Sequence, residues 1–190
     1  MTLLMHENTT LYGCALFGVL FQDYSKYSFS LRENIALSKI SEIENDAKIY
    51  DACRKSHVSD FIADWERGID ENLMHRFSPD GKELSGGQWQ RVSLARAFFR
   101  DAPVVLLDEP SAALNPVAEH NIFKDFAQLS KKSAILISHR LSSITLCDKI
   151  PVLKSGHIVE RGSHSELLKQ NGEYARLFNL QASKYFDNSI

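Results

Sequence analysis

Apolar residues along this chain gather into short continuous runs separated by stretches of helical period, an alternation that predicts strands and helices in turn. The first run, Leu11 to Phe21, is continuous rather than alternating, which predicts a parallel strand covered on both faces and ending at Gln22-Asp23. From Ser30 to about His75 the pattern turns helical. Two S-x-x-E pairs, Ser30 with Glu33 and Ser41 with Glu44, predict capping boxes, after which Ile43, Ala47 and Tyr50 recur at helical spacing. Val58, Phe61, Ile62 and Trp65 make a second amphipathic stretch, and Ser78-Pro79-Asp80-Gly81 predicts a tight turn.

Beyond Ser85, read as an N-cap, Trp89, Val92, Ala95 and Phe99 trace one stripe of a helix ending before Asp101-Ala102-Pro103. A strand comes next, at Val104 to Leu107. Asn115-Pro116 predicts a capped helix with proline at its first position, with Ile122, Phe126 and Leu129 inward. Ala134 to Ile137 reads as a short buried strand, and Ile150 to Leu153 with His157 to Glu160 as a hairpin about Lys154-Ser155-Gly156. Ser163 with Glu166 opens a closing helical tail. Strands alternating with helices predict an α/β fold of parallel βαβ units, whose ligand sites lie beyond the carboxyl ends of the strands. Gln22, Asp108, Glu109 and His139 all occupy such positions.

Composition narrows the picture. With 190 residues, 44% of them apolar, the chain can bury one good core, and a formal charge of −2 with a pI near 6.4 offers no electrostatic footprint for nucleic acid. Cys14, Cys53 and Cys147 are odd in number and have no C-x-x-C spacing, which predicts reduced thiols. The longest apolar run is eleven residues, well short of the ~20 a bilayer span requires, and the segment before it carries Glu7 and no lysine or arginine, unlike a signal peptide.

Two carboxylates, Asp108 and Glu109, directly after a hydrophobic strand can be held rigidly where a metal-bound phosphate is placed. Asp108 would then hold Mg²⁺, and Glu109 would orient and deprotonate an attacking water. Ser85-Gly86-Gly87 at a helix start offers a hydroxyl and open backbone N–H groups at the positive end of a helix dipole, a recipe for binding phosphate. His139 can donate to a phosphate oxygen, and the Gln22 amide can bond a metal-bound water. The remaining six histidines show no metal-ligand spacing. A glycine-rich loop of the form G-x-x-x-x-G-K-[ST], the usual cradle for the triphosphate, does not occur between Met1 and Ile190.

Phe21-Gln22-Asp23, Leu84 to Gln88, Val104 to Pro110, Ser111 to Asn115 and Ser138-His139-Arg140, in that order, resemble the Q-loop, signature, Walker B, D-loop and H-switch of the ATP-binding cassette (ABC) ATPases. Ser30 to Ile35 and the tail from Gly156 to Leu168, with Gly172 to Ala175 after it, are similar to exporter-type cassettes. The resemblance implies a P-loop NTPase (RecA-like) parallel sheet lacking its Walker A strand, with an α-helical signature subdomain. Its segments would be 11–29 for the Q-loop strand and loop, 30–100 for the helical subdomain, and 101–190 for the remaining motifs and tail. It further implies ATP and Mg²⁺ as ligands, Glu109 and His139 as catalytic residues, and Gln22, Ser85, Gly86, Gly87 and Gln88 as nucleotide contacts, with Asp108 and Gln22 at the metal.

The implied partners are a second cassette, which sandwiches ATP against the signature, and an exporter's transmembrane domain, which places the chain at the cytoplasmic face of a membrane. Three departures stand out. Asn115 replaces the usual D-loop aspartate, Trp89 replaces a polar residue on what reads as a helix face, and Walker A with its upstream adenine-stacking aromatic is missing. The expectation is therefore an exporter cassette without its N-terminal part, unable to hydrolyse ATP alone. A non-catalytic module that pairs with a complete cassette is the alternative. In the family the Walker A strand lies between the strands near Ala134 to Ile137 and Ile150 to Leu153, so those two should either leave unpaired edges or close over the gap. A chromosome-type ATPase with coiled-coil arms is excluded, because only 62 positions separate Gln22 from Leu84 and no sustained heptads occur there.

Overall fold

The structure, a computed structural model, describes residues 16–110, 113–129 and 133–187. They divide into two compact units, with the boundary between Ile137 and Ser138. The first unit is built on a three-stranded parallel sheet of order β1 (Phe17–Leu20), β2 (Val104–Asp108) and β3 (Ser133–Ile137). Leu20 pairs with Leu107, and Asp108 with Ile137, so the carboxyl ends of the strands lie level.

Helices α1 (Leu31–Ala36), α2 (Asp46–Lys55), α3 (Ser59–Ile62), α4 (Gly86–Phe99) and α5 (Pro116–Leu129) complete this unit. α4 is its centre, packing on α1, α2 and β1. Trp89, Val92, Leu94, Ala95, Ala97, Phe98 and Phe99 are all buried, a helix enclosed on most of its circumference rather than along one stripe. Trp89, at 2% exposure, is a core side chain as its place in the apolar stripe predicts.

Several expectations are met. Ser30 and Glu33 form a reciprocal capping box at α1, and Asn115 Oδ1 accepts the Ala118 N–H ahead of the proline-initiated α5. Gly81 N–H donates to the Ser78 carbonyl at 2.9 Å, closing the turn. Others are corrected. No box forms between Ser41 and Glu44, because residues Ile40–Glu42 make a 3₁₀ turn and Asn45 caps α2 by accepting the Lys48 N–H. Ala47 and Tyr50 are exposed, and the inward face of α2 is Ile49, Ala52 and Cys53. Burial pushes the Cys53 thiol up to about 12, which leaves it inert.

Of the run from Leu11 to Phe21, the part up to Ala15 and Cys14 with it lie outside the described residues, and the described strand is only Phe17–Leu20. It alternates, with Gly18 and Leu20 buried and Phe17 and Val19 exposed, so one face is covered instead of two. β3 departs further from the expected buried strand, being exposed at every residue except the half-buried Leu136. Ile135 and Ile137 are each 49% exposed, and among the described residues β3 pairs only with β2.

The second unit pairs β4 (Ile150–Lys154) with β5 (His157–Gly162) in an antiparallel hairpin, turned through Ser155 and Gly156 at φ 51° and 79°, the primed geometry that suits twisted strands. Helix α6 (Leu141–Ile144) precedes it, and α7 (His164–Gln170) and α8 (Glu173–Asp187) come after. Its core is Ile150, Val152, Leu167 and Tyr174, with Cys147 and Phe178 against it. The Ser163–Glu166 box caps α7 as expected. No described helix is long and apolar enough to cross a membrane.

Candidate functional site

Asp108 ends β2 and Glu109 leaves it. The Glu109 N–H continues the sheet ladder by donating to the Ile137 carbonyl at 2.9 Å, yet its backbone sits at φ 45°, in the left-handed region. For a residue with a Cβ that conformation costs roughly 1–3 kcal/mol and persists only where the surroundings impose it. The turn takes the chain out of the sheet at the strand's carboxyl end, with both carboxylate residues half-buried. Gln22, two residues beyond β1, is exposed.

The start of α4 is shaped by a capping box whose sequence form, S-x-x-Q, is a signal that could have revealed it. Ser85 Oγ accepts the Gln88 N–H at 3.3 Å, and Gln88 Oε1 accepts the Ser85 N–H at 2.9 Å. As an acceptor in this bond the Ser85 hydroxyl keeps its own hydrogen for donation, while the Gln88 carbonyl oxygen is committed to the cap. Ser85 and Gly86 are exposed, and they stand directly before the first N–H groups of a 14-residue helix, which helix geometry leaves unsatisfied. Glycine at 87 also relieves crowding. A Cβ there would stand 3.1 Å from the Ala113 carbonyl, and one at Gly86 3.7 Å from the Ala113 Cβ, so the loop after β2 rests against this turn. Ser111 and Ala112 of that loop lie outside the described residues.

Three polar residues of the α-helical region were missed by sequence reasoning. Gln90, 1% exposed, accepts the Ala113 N–H on Oε1 at 2.6 Å and donates from Nε2 to the Glu109 carbonyl at 3.4 Å. Arg96 donates from Nε to the Asn34 carbonyl at 2.8 Å and from Nη1 to the Ser25 carbonyl at 2.6 Å, and its guanidinium lies 5.1 Å over the Tyr27 ring. Burial pulls that guanidinium down to about 10, still charged at neutral pH. Asn34, fully buried, donates to the carbonyls of Tyr27, Phe29 and Ser30. Arg96 and Asn34 together grip the segment after Gln22. Tyr24 adds a bond from its hydroxyl to the Gly86 carbonyl at 3.1 Å, joining that segment to the turn that opens α4.

Beside this segment lies a groove of about 390 Å³, bordered by Phe21, Tyr24, Tyr27, Leu37, Arg96 and Arg100. Phe21 and Leu37 are exposed at its rim, as is nearby Ile40. His139 belongs to the second unit, where its carbonyl accepts from Gln181 Nε2 of α8 at 2.6 Å.

Among the described residues no cluster of three or more His, Cys, Asp or Glu side chains forms a cage for a metal ion. The donor set at the end of β2 instead suits Mg²⁺, which keeps several waters and is bound by one or two carboxylates together with substrate phosphates.

Residues 14–112 match the family described as ABC transporter. The nisin transport ATP-binding protein of Lactococcus lactis subsp. lactis is 41% identical over 90% of this chain and 28% of its own length. The ATP-dependent lipid A-core flippase of Alcanivorax borkumensis is 40% identical over 87% of this chain and 27% of its own. A bacterial Atm1-family ABC exporter solved with ATP bound superposes with a TM-score of 0.77 at 34% identity, covering 88% of this chain and 28% of that one. The chain thus spans little more than a quarter of the length of these relatives.

Proposed function

Because the chain belongs to the ABC transporter family and has the mixed α/β fold of an exporter's nucleotide-binding domain, we propose that it forms part of an ATP-hydrolysing domain that drives transmembrane export. Residues 30–100 act as the helical arm that carries the signature turn. The observation that carries this reading is a carboxylate pair at the end of β2, with Glu109 in a left-handed backbone, in the same unit as a glycine-opened helix start.

In the proposed reaction a water attacks the γ-phosphorus of ATP, the bond to the bridging oxygen breaks, and ADP and phosphate leave. Glu109 orients that water and takes its proton. Asp108 and Gln22 would hold Mg²⁺, which would supply neutralising charge to the phosphates. His139 donates a hydrogen bond to a phosphate oxygen. Ser85, Gly86 and Gly87 present a hydroxyl and backbone N–H groups to an ATP bound on a second cassette, with Gln88 holding the turn in shape. The groove beside Tyr24 and Tyr27 receives the transmembrane domain of the exporter, at the cytoplasmic face of the membrane. Its exposed aromatic and aliphatic rim suits a helical partner.

In an exporter polypeptide that contains these residues together with a phosphate loop, Glu109→Gln is expected to leave ATP bound while turnover falls at least ~10²-fold, as loss of a general base should. Near-normal turnover removes Glu109 from that role.

A second reading has its own support. The 14-residue signature helix opens on an exposed Ser85 and Gly86, which suits a module that presents this turn to a partner's ATP. Adding the chain to a complete cassette should then raise its ATPase rate or its ATP-dependent dimerisation. No change in either counts against this pairing.

A further inference from the structure

Gln90 sits one turn inside α4, between the glycines that open the helix and the enclosed core. An apolar residue of its size would suit a position that is 1% exposed, but here both ends of a primary amide are used. The Ala113 N–H demands an oxygen and the Glu109 carbonyl demands an N–H, so the two partners also fix which way the amide faces. The Glu109 peptide is thereby held from both sides, its N–H by Ile137 of β3 and its carbonyl by α4. Those two contacts bracket the residue at φ 45°. The far end of the same device touches the signature turn, since Ala113 packs on Gly86 and Gly87.

We propose that Gln90 is a positioning residue that couples the glycine-opened start of α4 to Glu109, so that a displacement of the signature turn is transmitted to the backbone that aims the carboxylate. The inference rests on the reading of Glu109 as the base that activates water. It adds a route by which the face of the chain that meets one nucleotide sets the carboxylate that serves another. Gln90 touches neither water nor phosphate in this scheme and acts only through Glu109 and Ala113.

The test uses the exporter polypeptide that contains these residues, with Gln90→Leu, which removes both contacts, and Gln90→Glu, which keeps an oxygen for the Ala113 N–H and loses the donor to Glu109. Amide hydrogen exchange should quicken at Ala113 by about tenfold or more in Gln90→Leu and not in Gln90→Glu, with the amides of β2 unchanged in both. Both variants should lower kcat by about tenfold with KM for ATP within about twofold, and Gln90→Leu added to Glu109→Gln should lower kcat no further, because one residue acts through the other. Wild-type kcat in both variants, or losses that multiply in the double variant, overturns the coupling while a slow Glu109→Gln leaves the base in place. A near-normal Glu109→Gln overturns the base and the coupling together. Gln90→Glu, nearly the same size and shape, reports on the donor contact even if Gln90→Leu fails to fold.

Discussion

Asp108 and Glu109 could be read from the sequence because a hydrophobic run delivers them to a strand end, where their position is set by chain connectivity alone. Their neighbours could not. Gln90, Asn34 and Arg96 are polar residues inside helical patterns, which by period alone belong to a solvated face, yet Gln90 and Asn34 are buried and Arg96 half-buried against groups far along the chain, 62 positions away for Arg96 and Asn34. Arg96 is the case with the largest expected consequence. Its planar fork serves carbonyl oxygens in fixed directions and stacks on Tyr27, neither of which a lysine ammonium reproduces. Arg96→Lys is therefore expected to lower stability by roughly 1–3 kcal/mol, read from the urea midpoint of the first unit, because it leaves the oxygens of buried Asn34 short of donors. An unchanged midpoint would mean that the segment after Gln22 is held by other contacts.

Among elements, capping shows both the reach of local sequence and its limit. Three S-x-x-E pairs look alike, and two form the box at α1 and α7. At the third, the carboxylate of Glu42 pairs with Lys39 and Lys48, the backbone tightens into a 3₁₀ turn, and Asn45 becomes the cap. Ser163→Ala should accordingly cost about 1 kcal/mol, whereas Ser41→Ala should fall within about 0.5 kcal/mol of neutral, a contrast that paired thermal melts would measure. α8 begins by a different device. The Glu160 carboxylate of β5 accepts the N–H groups of Glu173 and Tyr174, at 2.5 and 3.0 Å, and a Cβ at Gly172 would collide with it. No residue-spacing rule reveals a cap supplied by a neighbouring strand. The first turn of α8 also carries Glu173, held at about 2 by the side-chain bond from Arg176.

For the molecule as a whole, the resemblance to an exporter cassette left open whether the strands flanking the Walker A position would leave unpaired edges or close over the gap. Among the described residues of the first unit, β3 bonds only to β2. A sheet edge with Ile135 and Ile137 half-exposed is a template for pairing with another chain. Expressed by itself, the chain should be marginally stable and should self-associate, and Ile135→Lys should shift sedimentation toward monomer. A sharp, cooperative thermal transition from a soluble wild-type monomer would contradict this.

The order of strands and helices, the capped starts of α1, α4, α5 and α7, the hairpin and the carboxylate pair were determined by the sequence alone, because each depends on period, on side-chain chemistry within four residues, or on the residues adjoining a strand end. The tertiary structure decided which faces are covered. β1 exposes one side of its apolar run, β3 is exposed at every residue but the half-buried Leu136, and α4, which reads as a single stripe, is enclosed. It also decided the left-handed backbone of Glu109 and the Gln90, Asn34 and Arg96 contacts that surround the site. Those depend on which distant groups the packed sheet and helices bring within hydrogen-bond range, and that is a property of assembled elements rather than of any local stretch of chain.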